Sequence, residues 1–248
     1  MAKHTTQAPV LAMTRVTDTV WQLRAGWDGP VRAGQFFMLR GWQGKDPLLG
    51  RPISVHDWGE DWVDFLFEVR GEGTRLLSAL EPGDTLELTG ALGNGFDTDL
   101  PAGTKVALVG GGVGVAPLLG TARALRAAGC AVTLFAGFRD EPYVLDKFEA
   151  LGCDVQLATD SGRFGHKGFV TELLNPTDFD RVLVCGPEVM MEKIARACLA
   201  AKVPVFVSRE SHMACGIGAC LGCTCHTKNG PRSTCKDGPV FPGEVLYE

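Results

Sequence analysis

Lys105-Val106-Ala107-Leu108-Val109-Gly110-Gly111-Gly112-Val113-Gly114-Val115-Ala116-Pro117 begins as an apolar run and ends as a glycine loop closed by proline. A run this short and valine-rich reads as a buried strand. Glycines let the backbone turn sharply and approach a phosphate, and a helix starting beyond them would aim free N–H groups at the same point. The spacing departs from G-x-G-x-x-G because Pro117 stands where the helix should begin. Proline in a first turn has no donor to lose, so a helix start is still allowed. Taken alone, such a loop is equally a tight turn whose glycines serve packing.

Downstream, the pattern repeats. A helix is predicted to about Ala128, with Gly129 as its stop, and strands at 131–136, 154–158, 181–184 and 203–207, with a helix over 188–201 before the last. Strands alternating with helices predict a parallel α/β nucleotide-binding domain over residues 99–207. Cys185-Gly186-Pro187 ends one of these strands, at the edge where open α/β sheets bind ligands. A lone cysteine there is more often a packed apolar residue, but the Gly-Pro after it marks the strand end. Candidate dinucleotide residues are therefore Gly110, Gly111, Gly112, Gly114, Pro117, Cys185, Gly186 and Pro187, with Cys185 placed near the nicotinamide.

Upstream, residues 1–98 read as an antiparallel β-barrel. Strands are predicted at 20–23, 35–40, 62–69 and 85–88, with turns at Asp28-Gly29-Pro30 and Glu81-Pro82-Gly83-Asp84 and one helix at 74–80. Asp97 to Gly103 looks like a boundary. Arg51-Pro52-Ile53-Ser54 opens a further strand; arginine offers a fork for phosphate, and a serine hydroxyl can bond a ring nitrogen. Gly71-Glu72-Gly73-Thr74 is a second candidate phosphate loop.

Cys215, Cys220, Cys223 and Cys235 in the last segment, 208–248, read C-x4-C-x2-C followed by a fourth cysteine after eleven intervening residues. This is the plant-type spacing for a [2Fe–2S] cluster, and the small residues Gly216, Gly218, Ala219 and Gly222 would let the backbone approach bridging sulfides. A tail so rich in Cys, Gly and Pro needs such a staple. Four thiolates also suit structural zinc, although zinc sites of this kind usually show paired C-x2-C knuckles.

Composition narrows the classes. A net charge of −5 gives no footing for nucleic acid. No apolar stretch approaches membrane-spanning length, and no signal peptide follows Met1–Gln7. Nine cysteines in a chain of 248 residues, odd in number, fit reduced thiols in a cytoplasm better than a disulfide scaffold. None of the five histidines, His212 and His226 beside the cysteines included, has an evident role.

Barrel with R-P-I-S, then glycine loop, then C-G-P is the order of the ferredoxin–NAD(P)+ reductase superfamily, and Met213 to Cys223 with Cys235-Lys236-Asp237-Gly238-Pro239-Val240-Phe241 resembles the electron-transfer subunits of class 1B dihydroorotate dehydrogenases. The resemblance covers essentially the whole chain. It implies FAD held by Arg51, Pro52, Ile53, Ser54, Leu66, Phe67, Glu68, Gly73 and Thr74, a cluster on the four cysteines, and NAD as the hydride carrier, although Arg139 and Asp140 leave NAD versus NADP open. It also implies an FMN-containing catalytic subunit as partner, two copies of each, with dihydroorotate oxidised on that partner in pyrimidine biosynthesis. Glu68 departs from the family, which often has arginine there, and Cys225 is an additional thiol. Neighbouring readings are a subunit of sulfide dehydrogenase or of an NADH-dependent ferredoxin:NADP+ oxidoreductase; from another class, a zinc-stapled binding module.

Overall fold

In the computed structural model, which describes residues 4–248, the barrel is closed by a strand that changes partner at a proline. The strands are β1 (His4–Arg15), β2 (Val20–Gly26), β3 (Phe36–Arg40), β4 (Arg51–Trp58), β5 (Trp62–Glu68) and β6 (Thr85–Leu92), in the spatial order β1-β2-β5-β4-β3-β6. Up to Pro9, β1 pairs with β6, and from Val10 onward it pairs with β2, with an irregularity between Val10 and Ala12. Proline cannot donate to a ladder, so it suits the point where one pairing stops and the other begins. Leu23, Phe37, Leu39, Val63, Phe65, Leu86 and Leu88 fill the interior, and the short helix α1 (Glu72–Ser78) adds Leu77. Phe37 meets Phe65 and Trp27 edge to face, the arrangement the ring quadrupoles favour.

The second unit contains β7 (Lys105–Gly111), α2 (Leu118–Ala127), β8 (Ala131–Phe138), α3 (Leu145–Ala150), β9 (Asp154–Thr159), β10 (His166–Lys167), β11 (Arg181–Cys185), α4 (Glu188–Ala200) and β12 (Val205–Ser208). The tail supplies β13 (Thr224–Cys225), β14 (Arg232–Ser233), α5 (Thr234–Asp237), β15 (Val240–Pro242) and α6 (Gly243–Tyr247). The large sheet runs β10-β9-β8-β7-β11-β12-β15, all parallel except β15. One face is covered by Leu118, Ala122 and Leu125 of α2, the other by Met191, Ile194 and Cys198 of α4. The chain winds from β7 outward through β8 and β9, then returns to β11 on the other side of β7. Such a reversal opens a crevice at the carboxyl ends of the two central strands, here at the glycine loop and Cys185.

Side chains tie barrel and sheet domain together. Arg123 of α2 donates to Asp57 Oδ1 and to the Trp58 carbonyl at 2.8 and 2.7 Å, and Lys147 of α3 donates to Gln22 Oε1 at 2.6 Å. Gln22 in turn donates to Asp64, which is buried and held bidentately by Arg24. The tail is sewn to both units: Asn94 N–H donates to the Gly238 carbonyl at 2.6 Å and β15 pairs with β12 through Val207 and Phe241, while within the tail Arg209 N–H donates to Pro239 O at 2.8 Å. Among the described residues no helix is long and apolar enough to cross a membrane.

Candidate functional site

Arg51, Pro52, Ile53 and Ser54 open β4 as a half-buried stretch, and Leu66, Phe67 and Glu68 end β5. The Arg51 guanidinium folds back over α1, donating to Leu49 O at 2.5 Å and lying where any side chain on Gly73 would have to go. The barrel arginine and the candidate phosphate loop are thus in contact, although Arg51 and Gly73 stand 22 positions apart in sequence. Thr74 Oγ1 accepts from the N–H groups of Arg70 and Gly71 at 3.0 and 3.2 Å and donates to Gly71 O at 3.0 Å, so its hydroxyl shapes the loop. Glu68 pairs with Arg70 at 2.7 Å. Arg70, which the sequence did not single out, therefore places a cation against Glu68 at this strand end.

The glycine loop forms a tight 3-10 turn, Gly112–Val115, and Pro117 takes the N-cap position of α2. Gly114 is buried against the end of β11: a Cβ there would strike the Cys185 carbonyl and lie 2.7 Å from Gly186 Cα. The two segments predicted to hold a dinucleotide accordingly touch backbone to backbone. Cys185 itself is buried, and Gly186 adopts a φ of 152°. Burial pushes the Cys185 thiol well up, helped by the charge of Glu210, while a hydrogen bond from Ser208 opposes it. The thiol stays protonated at neutral pH and is no nucleophile. Glu210 is exposed to solvent on one side; partial burial raises its carboxyl and Arg70 opposes the rise. Tyr143 packs edge to face on Phe138 and also senses Glu68 and Arg70. Arg70, Tyr143, Glu210 and Cys185 thus lie within electrostatic reach of one another where barrel and sheet meet. Only Cys185 carried a sequence signal, from its Gly-Pro; the others are isolated polar residues in unremarkable stretches.

The four cysteines fall into two pairs. Cys215 and Cys220 share one contact and Cys223 and Cys235 another. Cys220 is exposed and Cys215 half-buried, whereas Cys223 and Cys235 are buried with Phe36, Met38 and Leu92 of the barrel. Backbone N–H groups converge on sulfur: Ile217 and Cys220 donate to Cys215 at 3.5 and 3.4 Å, Gly222 to Cys220 at 3.4 Å, Gly218 to Cys235 at 3.0 Å and Cys235 to Cys223 at 3.4 Å. Among the described residues none reaches Cys225, which is buried in β13. Positive φ at Gly216 and Gly218, 67° and 82°, turns these amides inward. Burial alone would raise the Cys215 thiol, but N–H donors from Ile217, Cys220 and Ala219 bring it down to about 6. A binuclear cluster asks for such a donor set, two thiolate pairs with amides aimed at sulfur. A single tetrahedral zinc would ask all four thiolates to meet at one point and does not require amides aimed at sulfur. His212 and His226 are exposed. Two surface hollows, of about 360 and 480 Å³, involve none of these residues.

One histidine was missed. His56 of β4 is fully buried, its Nδ1 2.8 Å from the Ala116 carbonyl in the glycine loop. Burial lowers its pKa from 6.5 to about 4; Lys147 of α3 adds to this, while the Ala116 bond and the carboxylates of Asp64 and Asp57 oppose it. Because the folded pKa is depressed, the unfolded chain takes up the proton first. Stability is therefore complete above about pH 6.5 and is lost as pH falls toward 4. Urea unfolding at pH 7 and pH 5 should show the wild type losing roughly 2 kcal/mol more than His56→Asn, which cannot titrate. Equal losses would mean that His56 titrates normally.

A six-stranded barrel, a parallel sheet with its crevice at a glycine loop, and a thiolate tail define a flavin- and pyridine-nucleotide-dependent reductase with an iron–sulfur module. The barrel and sheet match a ferredoxin NADP+ reductase from Neisseria gonorrhoeae with bound FAD and NADP at a TM-score of 0.63, covering 81% of this chain and 92% of that one at 20% identity. A model of the iron-sulfur cluster binding domain of dihydroorotate dehydrogenase B matches residues 210–247. The electron transfer subunit of dihydroorotate dehydrogenase B (NAD(+)) from Clostridium acetobutylicum is 44% identical over 99% of this chain and 98% of its own, and that of Clostridium perfringens 42% identical over 98% of each. The chain belongs to this family of dihydroorotate dehydrogenase B electron transfer subunits. The structure of an NADH-dependent reduced ferredoxin-NADP oxidoreductase also matches, at a TM-score of 0.86 and 28% identity, covering 96% of this chain and 89% of that one.

Proposed function

We propose that this chain is the subunit linking a dihydroorotate-oxidising, FMN-containing catalytic subunit to NAD+ in pyrimidine biosynthesis, in a cytoplasmic complex of two copies of each. It would hold FAD on the barrel and a [2Fe–2S] cluster in the tail. FAD supplies the conversion between one-electron transfer and hydride transfer. Residues 1–98, 99–207 and 208–248 serve as the flavin, nucleotide and cluster units in this reading. Arg51 would hold the FAD pyrophosphate, with Gly73 leaving it room, Arg70 supplying a second cation, and residues 52–54 and 66–68 forming the wall beside the ring. Gly110, Gly111, Gly112, Gly114 and Pro117 would receive the dinucleotide, with Cys185, Gly186 and Pro187 as the opposite lip. Cys185 would contribute a neutral, apolar surface and no proton. Cys215, Cys220, Cys223 and Cys235 would ligate the cluster.

The observation that carries this reading is the asymmetry of the thiols: one pair faces solvent and the other is buried against the flavin barrel. An arrangement open on one side and coupled inward on the other suits electron passage from a partner protein. Identity of 44% over nearly the whole chain to a dihydroorotate dehydrogenase subunit, against 28% to the ferredoxin-NADP oxidoreductase, favours dihydroorotate over ferredoxin as the ultimate donor. Anaerobic co-purification with the catalytic subunit, with flavin and iron analysis and an assay of NAD+ reduction by dihydroorotate, tests it; a complex reduced by ferredoxin and not by dihydroorotate would overturn it.

The partner would dock over the exposed thiol pair. Leu221 and Ile217, 64% and 45% exposed, flank it as apolar contacts. Leu221→Glu should weaken the complex at least tenfold, about 1.4 kcal/mol, while NADH oxidation by dyes persists. Undiminished co-purification would place the partner elsewhere.

A further inference from the structure

We infer that His56 is a positioning residue for hydride transfer: its imidazole bridges the flavin-side strand and the dinucleotide loop and fixes their separation. The inference rests on the proposed roles of residues 51–54 and of the glycine loop. His56 stands two positions beyond Ser54 on β4 and reaches the Ala116 carbonyl, next to Pro117 at the start of α2. A carbonyl only accepts, so Nδ1 carries the hydrogen and Nε2 is bare. Nε2 is buried without a hydrogen-bond partner among the described residues. Protonating it would place an N–H+ where nothing accepts, so the ring is held neutral in one tautomer.

Helix α2 is seated on the same strand by a second close approach. A Cβ on Gly120 would strike the Trp58 ring and lie 3.2 Å from the His56 carbonyl oxygen. Arg123 closes the seam from further along α2, through Asp57 and the Trp58 carbonyl. These outer ties are polar and partly open to solvent, while His56 lies fully inside, nearest the glycine loop. Hydride transfer, in which two electrons and a proton move together between the flavin and the pyridine ring, toward NAD+ in the proposed function and from NADH in the reverse direction, demands a narrow range of separations, and a displacement near 1 Å can cost about 100-fold. His56 gives and takes no proton in this step. It acts only by holding Ala116, and so the dinucleotide loop, against the strand on the flavin side.

Anaerobic stopped-flow reduction of the holo subunit by NADH gives a limiting rate of flavin bleaching and, from its concentration dependence, an NADH dissociation constant. His56→Leu, which keeps the bulk and loses the donor, should lower the limiting rate about 10- to 100-fold with FAD and iron contents unchanged and the dissociation constant altered far less. His56→Asn, whose amide can still donate to Ala116, should recover most of the rate. A wild-type rate in the Leu variant, or an Asn variant as slow as Leu, overturns the role of His56 alone. Failure of NADH to bleach the wild-type flavin overturns the proposed function and this role with it. Should the Leu variant not fold, ¹⁵N spectra of the wild-type histidines decide: an Nδ1–H ring that does not titrate between about pH 5.5 and 8 is the expected result, and an Nε2–H ring or a titration near pH 6.5 overturns it.

Discussion

Replacing Cys223 by serine should abolish dihydroorotate-dependent NAD+ reduction while leaving NADH oxidation by dyes close to normal. Cys223 is buried against Phe36, Met38 and Leu92 of the barrel, its sulfur accepts from the Cys235 N–H, and its carbonyl accepts from Thr234 N–H at 3.1 Å. Serine offers a hard, poorly acidic oxygen where the site asks for a soft thiolate. Loss of a mere outer-shell partner costs roughly 10- to 100-fold in affinity or activity, so loss of a ligand should exceed 100-fold in the linked reaction. The iron content should fall and the broad long-wavelength absorption with it, with FAD retained because Arg51 belongs to β4 and Gly73 and Thr74 to α1, none of them to the cysteine loop. Cys225→Ser is the control. No backbone amide is aimed at Cys225 among the described residues, so iron content and both activities should remain near those of the wild type. A variant pair behaving the other way round, Cys225→Ser losing iron and Cys223→Ser keeping it, would reassign the third ligand from Cys223 to Cys225.

The tail shows where reading the chain alone succeeds and where it stops. The cysteine spacing is a local property, and the loop between Cys215 and Cys223 turns where its glycines permit. How the tail is anchored is not local. Residues 240–242, Val-Phe-Pro, are too few to show a strand period, yet they add the antiparallel edge strand β15 to a sheet whose other strands come from a different segment. Nothing in three residues specifies that partner; it comes from Asn94 and Arg209, which clasp residues 237–239 from two sides. The barrel repeats the lesson. The predicted strands and the helix after Gly71 are present within a few residues, because alternation and turn residues mark them. Strand β1 is hidden by Pro9, which looks like a strand breaker and in fact divides one twelve-residue strand between two partners. In the sheet domain, α3 is only six residues long and starts after Val144 in a left-handed conformation, too short and irregular to show a helical period. The candidate site divides along the same line. Motif residues announce themselves through spacing, whereas Arg70, Glu210, Tyr143 and His56 matter through what the fold brings opposite them.

Gly114→Ala should disconnect the pyridine nucleotide from an otherwise intact protein. Gly114 is buried where the glycine turn crosses the end of β11, and an added Cβ would meet the Cys185 carbonyl group and Gly186 Cα, the latter at 2.7 Å. These are backbone atoms of a central strand paired on both sides, with β7 and with β12, so they cannot swing away as a side-chain tip would. The loop must move instead. Overpacking of this kind costs about 1–3 kcal/mol, and a loop displaced by a good fraction of an ångström should slow NADH-linked flavin reduction by up to about 100-fold. Gly112, two residues earlier, makes the opposite case: its φ is 54°, and nothing lies within 4 Å of the point a Cβ would occupy. Gly112→Asn therefore meets open space, and asparagine tolerates positive φ, so its loss should be several-fold smaller. In the complex, dihydroorotate should still bleach the flavin of the Gly114→Ala subunit at the wild-type rate, since the cysteines and the barrel are untouched. Slowing of that half-reaction to the same extent would mean that the substitution disturbs the whole fold and that the backbone contact at Gly114 is structural, with no special bearing on the dinucleotide.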